Sequence, residues 1–232
     1  MNIIWLGHGS FRIEIEDQVI LVDPWLTGNP MLNKEQHQPA IAGATHILVT
    51  HGHFDHIADV VQISKDTGAP VSGMYELAQH LHTQGAVEGH IFNMGGTIPL
   101  GDNATACLVP ASHSSSADVS GARPYMGSES GFIIRGEGHC IYVSGDTGLM
   151  ADMAWIGDYF KPNVGILSAG GYYTMDMDMA AYAARTYFDF KVIIPCHYRT
   201  MPALEQSAEA LAKGVLPGTS VIEPQVLEAI SL

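Results

Sequence analysis

Thr50-His51-Gly52-His53-Phe54-Asp55-His56, directly after the apolar run Ile47–Val49, decides how the rest of the chain is read. The short β-branched run before it reads as a strand. Side chains alternate along an extended segment, so His51 and His53, two apart, turn their rings to the same side. Gly52 between them lets the backbone approach closely. Asp55 and His56 fall where the chain turns into a helical pattern over Ile57–Lys65. Four metal-capable groups within six residues at a strand end make a convergent site. A solvated loop with incidental histidines is the plainer alternative, and the density of donors disfavours it.

Two metals need more ligands than this loop supplies, and three other strand ends offer them. Val109-Pro110-Ala111-Ser112-His113 closes one apolar run, Ser144-Gly145-Asp146-Thr147-Gly148 follows another, and Ile193-Ile194-Pro195-Cys196-His197 ends a third. Taken singly, each has a humbler role; Asp146 before Thr147-Gly148, for instance, would serve as a helix N-cap. Together they complete the set that the first motif lacks.

Working outward, strand-like runs recur at Ile3–Leu6, Phe11–Ile15, Val19–Val22, Ile47–Thr50, Ala104–Val109, Gly131–Ile134, Cys140–Val143, Val164–Leu167 and Val192–Pro195. Helical periodicity marks Ile57–Lys65, Glu76–Thr83, Leu149–Phe160, Met179–Phe188 and Leu204–Lys213, the last closed by Gly214. In each half, consecutive strands come first and strand–helix alternation follows. That pattern predicts two packed sheets with helices outside, rather than one open parallel sheet. No linker divides the chain, so residues 1–232 read as one domain. Pro24–Ala40 and Ser114–Ser130 are long enough to be lids or binding loops.

The 232 residues are 47% hydrophobic, ample for a core, and only 15% charged, against about 25% in an average soluble domain. Ten Lys and Arg against 24 Asp and Glu give a net charge of −14, which repels phosphate backbones and attracts cations. A nucleic-acid partner is therefore disfavoured. No apolar run is long enough to span a bilayer and the start has no secretion-signal pattern, so no membrane partner and a cytoplasmic location are expected. Cys107, Cys140 and Cys196, odd in number and without C-x-x-C spacing, read as reduced thiols. Low charge and 11 Met residues, including Met175, Met177 and Met179, suggest a homo-oligomer. The same methionines could equally be a helix face turned to the core.

The order His51, His53, Asp55, His56, His113, Asp146, His197 resembles the metallo-β-lactamase superfamily over essentially the whole chain. Leu6-Gly7-His8-Gly9-Ser10, Val22-Asp23-Pro24, His113-Ser114-Ser115, Gly145-Asp146-Thr147-Gly148 and Gly170-Gly171-Tyr172-Tyr173-Thr174-Met175 narrow it. They resemble the small metal-dependent hydrolases related to L-ascorbate-6-phosphate lactonase. The resemblance implies an α/β (α+β) fold, a four-layer αββα sandwich, with a dinuclear metal centre at one edge of the two sheets. It implies one ion on His51, His53 and His113, a second on Asp55, His56 and His197, and Asp146 bridging them. Zinc is favoured for the histidine-rich set, with manganese or iron as alternatives.

Such a centre would cleave an ester, lactone or phosphoester of a small molecule with a shared hydroxide that Asp55 and Asp146 orient. No nucleophilic Ser or Cys is required, and no G-x-S-x-G is present. Asp23 is expected either to accept the free N–H of a ligating His or simply to turn the chain before Pro24. His8, in a Gly-flanked turn after a strand, would reach the pocket or stand as an exposed loop histidine. Arg199 occupies a place where a small residue is expected. Arg199 and Arg123 are candidate anchors for a substrate anion, with surface salt bridges as the plainer reading. His37, His80, His82, His90 and His139 have no convergent partners. The rival functions are a small-molecule or nucleic-acid phosphodiesterase and a non-catalytic metal-binding scaffold. The scaffold would need a ligand missing, and all seven positions are filled. A nuclease is disfavoured by the short, acidic chain, and a redox di-iron protein by His53 where that class has a carboxylate.

Overall fold

In the computed structural model, which describes all 232 residues, Asn2–Trp5 (β1), Phe11–Ile15 (β2) and Gln18–Val22 (β3) form an antiparallel meander. Along β2 the residues Phe11, Ile13 and Ile15 are buried while Arg12 and Glu14 are not, the alternation of a half-covered sheet. The sheet then turns parallel through His46–Val49 (β4), Val71–Met74 (β5) and Glu88–Phe92 (β6). Its crossovers carry the helices Lys34–Ile41 (α1), Phe54–Ile57 (α2), Val60–Thr67 (α3) and Tyr75–Thr83 (α4).

The second half repeats the plan. Thr97–Leu100 (β7), Ala104–Pro110 (β8), Ser130–Gly136 (β9) and His139–Val143 (β10) are antiparallel neighbours. Val164–Ser168 (β11), Val192–Cys196 (β12) and Ser220–Val221 (β13) extend the sheet in parallel. The accompanying helices are Met153–Phe160 (α5), Met177–Tyr187 (α6) and Glu209–Gly214 (α7). Ala229–Ser231 (β14) returns to pair with β1. The result is two seven-stranded sheets, ordered β14-β1-β2-β3-β4-β5-β6 and β13-β12-β11-β10-β9-β8-β7.

One core joins the facing sheets (Ile3, Phe11, Leu108, Phe132) and continues under α5 and α6. A second lies between the first sheet and its helices (Leu21, Ile47, Val49, Val60, Leu77). Helices thus cover both outer faces, and the αββα sandwich holds. Met175 and Met177 belong to the core, which accounts for two methionines of that segment, while Met179 is exposed. The three cysteines are free, Cys107 and Cys196 buried. No helix is long and apolar enough to cross a membrane.

Several expectations are corrected. The helix read over Ile57–Lys65 is two helices, α2 and α3. Leu204–Lys213 contracts to α7, and Gly214 is its last residue rather than its stop. Pro24–Ala40 is neither lid nor binding loop. Trp25, Leu26 and Leu32 are buried, and Asn29 Nδ2 donates to Leu6 O and Trp25 O. Asp59 Oδ2 accepts from the amides of Leu26 and Thr27, and the segment ends in α1. Ser114–Ser130 does form a flap, closed by paired bridges Ser116–Tyr125 and Val119–Ala122.

Candidate metal centre

Four strand ends drawn from both sheets meet at one edge: His51 follows β4, His113 follows β8, Asp146 follows β10 and His197 follows β12. α2 begins immediately after His53, and its single turn carries Asp55 and His56 inward. His51 Nε2 lies 3.0 Å from His53 Nδ1, and His113 Nε2 lies 3.2 Å from that same nitrogen. Tetrahedral zinc with Zn–N of about 2.0–2.1 Å separates its ligand atoms by about 3.4 Å. The three nitrogens therefore stand at close to the spacing an ion requires.

Beside them, His197 Nε2 is 3.6 Å and His56 Nε2 3.8 Å from Asp55 Oδ2. Asp146 Oδ2 faces both groups, 3.0 Å from His197 Nε2, 3.5 Å from His56 Nε2, 3.7 Å from His113 Nε2 and 3.9 Å from His51 Nε2. His56 Nε2 is fully buried with no hydrogen-bond partner. A buried polar atom in that state is costly unless something else satisfies it. The donor set thus fits divalent metal.

The rings are aimed by what stands behind them. Asp23 Oδ2 accepts from His56 Nδ1 (2.8 Å) and from the Thr50 hydroxyl (2.5 Å), while Oδ1 accepts from the Thr50 amide (2.8 Å). With its proton committed to Asp23, Thr50 Oγ1 accepts from His51 Nδ1 at 3.0 Å. Both rings therefore turn Nε2, not Nδ1, toward the centre. His8 lies in the turn between β1 and β2 and is buried, not an exposed loop histidine. Its Nε2 donates to Asp55 Oδ2 at 2.8 Å, and its Nδ1 meets Thr200 Oγ1 at 2.8 Å. The His56 ring explains the glycine that follows His8, since a Cβ at Gly9 would lie 2.7 Å from His56 Cε1. His8, Asp23 and His197 all hold left-handed backbones, at φ of 54°, 46° and 59°. Such strain at non-glycine residues gathers at functional sites.

The electrostatics divide the histidines in two. Burial first, then repulsion from His56, holds His51 well below the ordinary value of 6.5; burial likewise lowers His53 and His113. Burial also opposes charge on His56 and His197. Asp146 and its fellow carboxylates outweigh it, raising His56 well above 6.5 and His197 to about 9. Burial works against ionised Asp55 and Asp146 too, and the neighbouring imidazoles reverse it, keeping both carboxyls below their usual range. The carboxylates thus favour positive charge on His56 and His197 over the other histidines of the cluster.

A cavity of about 760 Å³ opens onto this cluster. It is lined by His8, His53, Asp55, His113, Asp146 and His197, by Ser114, Ser116, Asp118 and Arg123 of the flap, and by Phe54, Tyr173 and Met201. Arg123 lines this cavity. Arg199 does not: its Nη2 donates to Pro224 O and its guanidinium lies 5.0 Å from the Trp5 ring and 4.9 Å from the Tyr198 ring. That expectation is corrected by a left-handed backbone at Arg199 (φ 64°) and these stacking partners. Sequence reading missed Thr50, Thr200, Phe54 and Tyr173. Thr50 and Phe54 adjoin or lie within the opening motif, but nothing in their type announces a role.

Residues 18–214 match the family model of the beta-lactamase superfamily domain, the class to which this sandwich and its edge cluster correspond. A UPF0173 metal-dependent hydrolase of Roseobacter denitrificans is 60% identical over 230 residues, 99% of either chain. Another, of Cereibacter sphaeroides, is 58% identical over the whole of both. The solved metallo hydrolase of Ignicoccus hospitalis has a TM-score of 0.85 and 30% identity across 99% of this chain and 97% of its own. An isothiocyanate hydrolase from Delia radicum gut bacteria, 17% identical with a TM-score of 0.77 over 100% of this chain and 99% of its own, shares the fold. The chain belongs to the UPF0173 metal-dependent hydrolases.

Proposed function

We propose that the chain hydrolyses an ester, lactone or phosphoester bond of a small molecule at a pair of divalent metals. His51, His53 and His113 would hold one, Asp55, His56 and His197 the other, with Asp146 between. The observation that carries this reading is the placement of Asp146 Oδ2, within 3.9 Å of a donor nitrogen on four histidines from both groups. The nitrogen-rich donors favour zinc over manganese or iron. Bound divalent metal supplies Lewis acidity and makes water a nucleophile near neutral pH.

The chain's own residues do the rest. Asp55 and Asp146 offer carboxylate oxygens to take a proton from the attacking water, and the His8 N–H holds Asp55 in place for it. Phe54, 64% exposed beside the cluster, and Tyr173, 56% exposed, give apolar walls for the body of a substrate. Ser114 and Ser116 offer hydroxyls to its polar edge. A cavity of about 760 Å³ suits a small molecule.

The test is metal content of protein purified without chelator, beside Asp146→Ala, followed by turnover of a panel of esters, lactones and phosphodiesters. Close to two equivalents are expected in the parent and fewer in the variant. Asp146→Ala and His53→Ala should each cut turnover at least about 100-fold while circular dichroism stays native. Parent-level turnover in either variant would remove the assigned centre. Absence of metal that added zinc or manganese cannot restore would favour the scaffold.

A further inference from the structure

We infer that the substrate carries an anionic group, a carboxylate or phosphate, and that Arg123 binds it. This rests on the hydrolase reading above and names the substrate's chemical class. The chain has five arginines, and four are committed elsewhere. Arg12 pairs with Glu14 and donates to Ala42 O; Arg135 donates to Phe160 O, Arg185 to Gly214 O and Arg199 to Pro224 O. Arg123 makes no hydrogen bond and no ion pair, and it lines the cavity over the donor cluster. None of the five lysines lines that cavity. Asp118 shares it, yet its Oδ1 accepts from the Gly121 amide at 3.2 Å and forms no pair with Arg123.

A free guanidinium on a wandering loop would mean little. This flap is fastened at its base: the Met126 amide donates to Ser115 O at 2.9 Å, and Val119 and Ala122 exchange both backbone bonds at 2.8 and 3.0 Å. Ala117 and Met126 are buried in the second core. The Gly52 amide donates to Ser115 Oγ at 3.2 Å, and a Cβ on Gly52 would stand only 3.1 Å from Met126. The flap that carries Arg123 is therefore seated on the residue between His51 and His53. Pro124 further restricts the backbone of Arg123. Arg123 is exposed on this fastened flap and lines the cavity, and its planar fork of N–H donors matches a carboxylate or phosphate. Phe54 and Tyr173, which line the same cavity, fit a compact apolar or ring-shaped body.

The experiment titrates zinc-loaded protein with succinate and with inorganic phosphate in a calorimeter, for the parent, Arg123→Ala, Arg123→Lys and Arg135→Ala. Arg123→Ala should weaken at least one anion tenfold or more, Arg123→Lys should recover part of that loss, and Arg135→Ala, which removes the same charge elsewhere, should leave binding at the parent value. Loss confined to succinate identifies a carboxylate, and loss confined to phosphate a phosphate. A kinetic arm compares 4-nitrophenyl acetate with its carboxylate-bearing partner, mono-4-nitrophenyl succinate. Arg123→Ala should lower kcat/KM for the anionic ester at least tenfold more than for the neutral one. Equal binding of both anions by Arg123→Ala and the parent overturns the inference. Failure of the parent to turn over any ester, with Asp146→Ala holding as much metal, removes the hydrolase reading instead; the titration still decides Arg123.

Discussion

Asp23 stands behind one histidine of each proposed ligand group. It takes the His56 N–H directly and the His51 N–H through Thr50. Outer partners of this kind are worth about 10–100-fold in metal affinity. Asp23→Ala should therefore weaken both equivalents of zinc, whereas Thr50→Val should weaken one and largely spare the other; a chromophoric chelator competition resolves the two. The titrating groups make a second prediction. His197, raised to about 9, and His56, raised well above 6.5, must each lose a proton to accept metal. Zinc uptake at pH 7 should release close to two protons, read from calorimetry in buffers of different ionisation enthalpy. Affinity at that group should climb as pH rises toward 9. For the metal-free fold the sign runs the other way. A raised histidine stabilises fully below 6.5 and loses that contribution as pH rises through about 9, while the lowered Asp55 and Asp146 stabilise above their ordinary 3.8 and lose it as pH falls. Chelated protein should melt highest at mildly acidic pH and drop toward pH 9. A melting temperature flat across that range would refute the charge assignment.

At the scale of elements, the strands that carry donors were legible because each is a buried, β-branched run ending in a polar residue. The missed strands show why others were not. β5 is buried but only four residues long with Ser72-Gly73 at its middle, β6 is an edge strand whose Glu88 and His90 look to solvent, β7 interposes Pro99, and β13 and β14 are two and three residues long. None offers an unbroken apolar run of five or more residues to read. α1 was hidden for a similar reason: only Ala40 and Ile41 are buried and Pro39 interrupts it. The seven proposed ligands were nameable from residue type and strand-end position. Arg199 was misjudged because a left-handed backbone turns it toward Trp5, which no spacing rule reveals. The β1–β2 turn yields a prediction at this scale. Gly9→Ala puts a methyl against His56, so it should lose at least about tenfold in zinc affinity while β1 and β2 stay paired, as amide exchange would show. Unchanged affinity would mean the turn has slack to give.

The whole molecule is two similarly built halves, each a meander that turns parallel, with the cluster lying across their shared edge. The first sheet is finished by the last residues of the chain, since β14 pairs with β1 through Asn2, Ile3 and Ile4. Deleting residues 229–232 would uncover that edge, and an unpaired strand edge invites association with other chains. The truncated protein should melt lower and aggregate on concentration, measured by scanning calorimetry and light scattering; a monomer of unchanged melting temperature would show β14 to be dispensable.

The left-handed backbones at His8, Asp23 and His197 have a bearing on engineering. Each costs on the order of 1–3 kcal/mol that a glycine would not incur, and each side chain stands in or directly behind the cluster. A search for heat-resistant variants, scored on survival alone, would be drawn to these positions and would enrich sturdier proteins that have given up their chemistry. Selection for durability and selection for turnover would part company at three residues, so any such campaign needs an activity screen from its first round.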